Sequence, residues 1–151
     1  MKSMASFGIV DQVLETLQSC GVRATSVRRL VAEALASAGG PQSAADLDER
    51  LRPRVPLSSL YRTLSAFEAA EVVDKYYDPA GIARYEIAER LTGEHHHHLV
   101  CNRCGVAIDI AVTVGLETAI DRLVAATEEL LGCEVAGHRL ELEGVCAACR
   151  E

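Results

Sequence analysis

Two parts of this sequence have the residue types and spacing of metal chemistry. Cys101-x-x-Cys104 and Cys146-x-x-Cys149 offer four thiolates in two knuckles, and such a pair lets two sulfurs reach one tetrahedral ion at about 2.3 Å. Two matched pairs make a closed structural zinc site. The stretch between them is longer than the usual zinc-ribbon gap, so the second knuckle must return across a small domain to meet the first. Redox dithiols or merely packed cysteines are the other readings. A thioredoxin-type pair opens a helix after a strand in a parallel fold, and neither pair here sits so. Cys20 and Cys133 have no partner in sequence and read as core residues.

The second part is His95-His96-His97-His98, just ahead of the first knuckle. On a strand, successive side chains point to opposite faces. His96 and His98 then face one way, His95 and His97 the other, so the run suits two sites rather than one. Each pair needs further ligands. Glu86 and Asp109 are candidates for the first, Glu117 and His138 for the second. Each is weak alone, since a lone carboxylate is usually a solvated charge.

These residues need elements to hold them. Apolar residues recur at helical spacing over 7–20, with Gly21 as the stop. Thr25 or Ser26 can cap a second helix through Ala36, and Ser43 a third beginning at Ala44. Ser58 opens a fourth, with Leu60, Leu64 and Phe67 at core spacing. The period then changes: 72–78 and 82–88 read as a β-hairpin about a Pro-Ala-Gly turn. Closely spaced helices followed by a hairpin describe a winged helix-turn-helix, the fourth helix being the one that enters DNA. Farther on, 96–101 and 106–110 read as strands about the knuckle, 112–131 as a long helix, and 135–142 as an alternating strand.

Net charge is −7 over 151 residues, which argues against nucleic acid only if it is evenly spread. Residues 1–90 carry 11 Lys and Arg against 12 Asp and Glu, whereas residues 91–151 carry 4 against 10. A local basic face is therefore available in the first half. The start, MKSMASFGIVDQ, lacks a secretory apolar core, which places the protein in the cytoplasm. No His-Glu-x-x-His and no Ser/His/Asp arrangement supports an enzyme.

Taken in order, these motifs resemble the ferric uptake regulator family of metal-dependent repressors. GVRATSVRRLVAEAL and LSSLYRTLSAFEAAEVV are similar to its second and recognition helices; HHHHLVCNRCG and the closing Cys-x-x-Cys are similar to its metal signature. The resemblance implies an α+β fold: an N-terminal winged helix-turn-helix domain (1–88), a hinge (89–94) and a small α/β dimerisation domain (95–151). It implies a homodimer on a palindromic double-stranded operator. It implies structural Zn2+ at Cys101, Cys104, Cys146 and Cys149, and a hinge sensing site of Glu86, His96, His98 and Asp109. A further site would use His95, His97, Glu117 and His138. Ser58, Ser59, Tyr61 and Arg62 would face DNA, with Arg23 and Arg28 on the backbone.

Two departures bear on the metal. Where many members have a hinge histidine before the third helix, this chain has Pro41 and Gln42. The wing carries no cysteine, and the segment from Glu86 to the histidines is long, so Glu89, Glu94 or Asp74 can stand in for Glu86. A sulfur-free ligand set suits Fe2+ at least as well as Zn2+, while the full histidine quartet looks more like the zinc sensors. Fe2+ is the expected regulatory ion and Zn2+ the alternative. A storage or delivery protein, and a peroxide sensor using bound iron, are the remaining readings.

Overall fold

The computed structural model describes residues 3–150, with side chains from residue 8 onward. Helix α1 spans Ser3–Ser19 and α2 spans Ser26–Ala36. Thr25 caps α2, its side chain accepting from the Arg28 N–H, which satisfies one of the orphan amides at a helix start. Helix α3, Ala44–Leu51, opens on a reciprocal box: the Ser43 hydroxyl accepts from the Asp46 N–H while Asp46 accepts from the Ser43 N–H. Helix α4 runs Leu57–Ala69 behind Pro56, one residue ahead of the expected start at Ser58.

The wing follows as β2, Val73–Tyr77, and β3, Ala83–Ile87. A two-residue strand unforeseen in the sequence, β1 (Gln42–Ser43), lies on the other side of β3 and completes the order β1-β3-β2. The helices and wing enclose one core, with Val13, Leu17, Val31, Leu47, Leu60, Phe67 and Val72 all fully buried. Beneath the wing turn, Arg84 and Asp78 form a buried ion pair at 3.0 Å. Arg84 also reaches Asp46 of the α3 box at 3.3 Å.

The segment expected as a hinge holds one helical turn, α5 (Glu89–Thr92), closed by Gly93 at φ 66°, a conformation that glycine adopts without strain. Leu91 of this turn packs against the core. Strand β4, His97–Cys101, is central in a second sheet between antiparallel β5, Ala107–Ile110, and parallel β6, Glu141–Gly144. Between β5 and β6 runs α6, Val114–Leu131. A single 3-10 turn, Ala147–Cys149, carries the last knuckle.

Two expectations need correction. The alternation over 135–142 forms a strand only from Glu141, because the β6 ladder on β4 runs from His98↔Glu141 to Cys101↔Gly144 and reaches back no farther than the Leu140 carbonyl, which accepts from the His98 N–H. Cys20 and Cys133 are exposed rather than core, each lying just past a helix end where its side chain faces solvent. Helix α6, expected as a long helix, buries none of its residues. Val114, Leu123, Leu130 and Leu131 stand in solvent, so these apolar side chains have no cover among the described residues, while Ile120 and Val124 are half-buried. Among the described residues, no helix is long and apolar enough to cross a membrane.

Two of the contacts between the halves are seated on glycines. A Cβ on Gly40 would lie 2.5 Å from the Ala107 carbonyl oxygen, and one on Gly105 would lie 2.7 Å from the Arg84 guanidinium. The loop before β1 thus rests on β5, and the knuckle turn rests on the wing ion pair.

Candidate metal centres and the DNA-facing helix

The thiols of Cys101, Cys104, Cys146 and Cys149 lie within 4.8 Å of one another. The first knuckle is the turn out of β4 and the second follows β6, so the parallel pairing of those strands brings the two together. Backbone amides converge on the Cys101 sulfur, Cys146 N at 3.3 Å and Arg103 N at 3.4 Å. With the Cys146 amide as the largest cause, they lower the Cys101 pKa to about 6. Hydrogen bonds with Cys146 and Cys104 push Cys149 up to about 12. Crowded thiols cannot all ionise without a cation among them, and four sulfurs at this spacing fit a tetrahedral zinc.

The histidines separate onto two faces. His96 and His98 turn toward the wing, where Glu86 Oε2 lies 2.9 Å from His96 Nε2 and 3.1 Å from His98 Nε2. Asp109 is the cross-strand neighbour of His98, its Oδ1 3.5 Å from the same Nε2. Burial opposes ionisation of Glu86, but hydrogen bonds from His98 and His96 outweigh it and hold its carboxyl below the usual range. Burial likewise works against a charged His96, yet the Glu86 contact prevails and raises its pKa. Two nitrogens and two carboxylates, all within 4.8 Å, can hold a divalent ion.

On the other face, buried His97 places Nε2 2.9 Å from Glu117 Oε1. Thr113 caps α6, and Glu117 is presented from its first turn. His95 Nε2 lies 3.0 Å from His138 Nε2, and Glu117 Oε2 is 3.7 Å from the first nitrogen and 3.5 Å from the second. Two imidazole nitrogens at that distance repel unless a proton or a cation sits between them. This set also fits a divalent ion.

Of the stand-ins for Glu86, none joins the hinge cluster. Glu89 instead meets His95 Nδ1 at 2.9 Å, and Asp74 Oδ2 accepts from the Glu89 N–H at 3.1 Å. Glu94 is exposed. Gln42 turns back on its own loop, donating to the carbonyls of Gly40 and Pro41. A cavity of about 220 Å³, lined by the four histidines, Glu86, Glu89 and Tyr76, joins the two clusters. Tyr76 stacks on His98 at 5.5 Å, and its hydroxyl is the one buried side-chain polar atom, among the described residues, without a hydrogen-bond partner. Nothing in the sequence assigned Tyr76, Arg84 or Gly105 a role here, and Gly40 read only as part of the stop of the second helix. The only available signals were Gly39-Gly40 beside Pro41 and a glycine closing the knuckle.

In the helical half, Ser58, Tyr61 and Arg62 are exposed on α4 and Ser59 is half-buried. Arg62 Nε donates to the Ser58 carbonyl at 3.3 Å. Arg23 is exposed ahead of α2, and Arg28 donates to the Arg23 carbonyl, so the two lie together.

Residues 19–143 match the profile of the ferric uptake regulator family. The chain belongs to that family. Its Fur relatives include the ferric uptake regulation protein of Bacillus subtilis (strain 168), 26% identical over 144 residues and 93% of each chain. The zinc uptake regulation protein of Mycobacterium tuberculosis (strain ATCC 25618 / H37Rv) is 29% identical over 138 residues, 89% of this chain and 99% of that one. Among solved structures, the Vibrio cholerae ferric uptake regulator superposes with a TM-score of 0.71 at 26% identity, covering 87% of this chain and 98% of that one. The Fur-type chain is a metal-responsive transcriptional regulator with the α+β fold of these structures.

Proposed function

We propose that this regulator is a cytoplasmic homodimer that represses metal-homeostasis genes by binding a palindromic operator when its hinge cluster is loaded with Fe(II). One observation carries the reading. The hinge ligands come from both halves of the chain: Glu86 from wing strand β3, and His96, His98 and Asp109 from the second sheet and the residue leading into it. Loaded, such a cluster ties the wing to the domain that dimerises, and so fixes the angle between two DNA-binding halves. Two recognition helices then reach successive major grooves roughly 34 Å apart. Metal and DNA affinity become reciprocally linked.

The remaining assignments follow from that reading. Cys101, Cys104, Cys146 and Cys149 hold structural zinc. His95, His97, Glu117 and His138 hold a further ion. Residues 1–88 form the DNA-binding unit, with Ser58, Ser59, Tyr61 and Arg62 near base edges and phosphates and Arg23 and Arg28 on the backbone. The uncovered apolar side of α6 supports dimerisation through that helix.

Nitrogen and oxygen ligands without sulfur suit Fe(II). A Zn(II)-sensing repressor is the second reading, favoured by a hinge set of four, the number zinc prefers. An anaerobic operator titration with Fe(II), Mn(II) and Zn(II) separates the two. His96→Ala should weaken metal-dependent binding and leave the dimer folded. Equal affinity of wild type and variant across the titration would sink the hinge reading.

A further inference from the structure

Glu89 does not belong to either ligand set, yet it touches both. Its Oε2 lies 2.9 Å from His95 Nδ1, and its Oε1 accepts from the backbone N–H of His96 at 3.4 Å. His95 is in one cluster and His96 in the other. The residue sits at the start of α5, and the wing residue Asp74 accepts from its backbone N–H. Half-buried Glu89 also lines the cavity that joins the clusters.

The geometry points to Glu89 as a positioning residue that couples the two ion sites to each other. This rests on the reading of both clusters as metal sites. A carboxylate on one imidazole nitrogen fixes the tautomer and ring orientation and raises the basicity of the other nitrogen. Here it keeps the proton on His95 Nδ1 and leaves the Nε2 lone pair directed at His138 and Glu117. Engaging His95 as a ligand strengthens its Nδ1–H as a donor and holds the carboxylate in place. The other carboxylate oxygen then steadies the backbone at His96, whose ring lies against Glu86. Filling the His95 cluster therefore favours filling the hinge cluster, and the reverse holds by linkage. Partners of this kind are worth about 10–100-fold in metal affinity when removed.

Glutamine tests this with little change of shape. Its carbonyl can still accept from the His96 N–H, but its amide offers His95 Nδ1 a donor and so favours the wrong tautomer. Hinge affinity for Co(II), read from the visible spectrum, is measured in zinc-containing wild type, His138→Ala, Glu89→Gln and the double variant. His138→Ala is expected to weaken hinge binding about tenfold in wild type and to have no further effect in the Glu89→Gln background. The four-cysteine zinc content and the melting curve of the metal-free clusters should stay unchanged in Glu89→Gln. An equal effect of His138→Ala in both backgrounds overturns the coupling and leaves both sites standing. Failure of wild type to bind Co(II) at either cluster overturns the metal reading and the coupling with it.

Discussion

Gly40 and its neighbour Gly39 should respond in opposite directions to alanine. Neither has a positive φ, so backbone strain does not separate them. Gly39 has nothing within 4 Å of an added Cβ. At such a site alanine stabilises by about 0.4–1 kcal/mol, because it restricts the unfolded chain. At Gly40 the same Cβ would meet Ala107 O at 2.5 Å, Ala107 C at 3.2 Å and Asp109 Oδ1 at 3.3 Å. Two of these atoms are strand backbone and cannot swing away. Relief to an ordinary contact of 3.4 Å needs a separation of about 0.9 Å between the loop and β5, an overpacking that costs about 1–3 kcal/mol. The net for Gly40→Ala is then a loss of about 1–2 kcal/mol. For a chain of this size that is roughly 2–8 °C in melting temperature.

Because Asp109 is one of the displaced contacts, Gly40→Ala should also weaken the hinge cluster for Co(II), and Gly39→Ala should not. Paired melting curves and Co(II) titrations decide the matter. If both variants melt alike, or Gly40→Ala is the more stable, the loop is not seated on β5 and the contact between the halves is wrong.

Cys101→Ser should lose zinc and lower the melting temperature; full zinc content with an unchanged melt would refute the structural role. Phe67→Ala should destabilise the helical half by about 3–5 kcal/mol, seen as loss of cooperative unfolding. The hinge pair predicts a pH dependence whose sign follows from its shifts. His96 is raised, so its contribution to the metal-free fold is full below about pH 6.5 and fades as pH rises through its higher native value. Glu86 is lowered, so its contribution is present above about pH 4.3 and fades as pH falls through its lower native value. Metal-free protein should thus gain from the pair near about pH 5–6, while metal affinity rises with pH as His96 gives up its proton. Subtracting the pH profile of Glu86→Gln isolates the pair; identical profiles would refute it. Leu123→Glu on α6 should dissociate the proposed dimer, checked by sedimentation.

Much of this arrangement was readable from local signals. Thr25 and Ser43 cap helices because a hydroxyl before an apolar-periodic run meets orphan amides, a rule that needs no tertiary information. Strand alternation alone separated His96 and His98 from His95 and His97, and the structure brings them together in those same pairs. What escaped depends on contacts between distant segments. Glu89 was weighed only as a hinge ligand, since nothing local reveals that a helical turn aims it at His95. The 135–142 alternation promised a strand that only a pairing partner could complete, and β4 supplies one from His98 onward. The long helix expected over 112–131 is present as α6, but a helical pattern does not say whether its cover lies in the same chain.

The seat of Gly105 on Arg84 links the four-cysteine cluster to the wing. The guanidinium is enclosed by Asp78 of the wing, Asp46 of α3 and the turn of the first knuckle. Removing its carboxylate partner would leave that buried charge unpaired, at a cost of about 3–5 kcal/mol. On the proposed reading of the four cysteines as a structural zinc site, a chain without zinc should hold that roof less firmly, and the wing should be the part that loosens. What passes between the halves there is steric: a turn too tight to admit a side chain, pressed onto an ion pair in the other half.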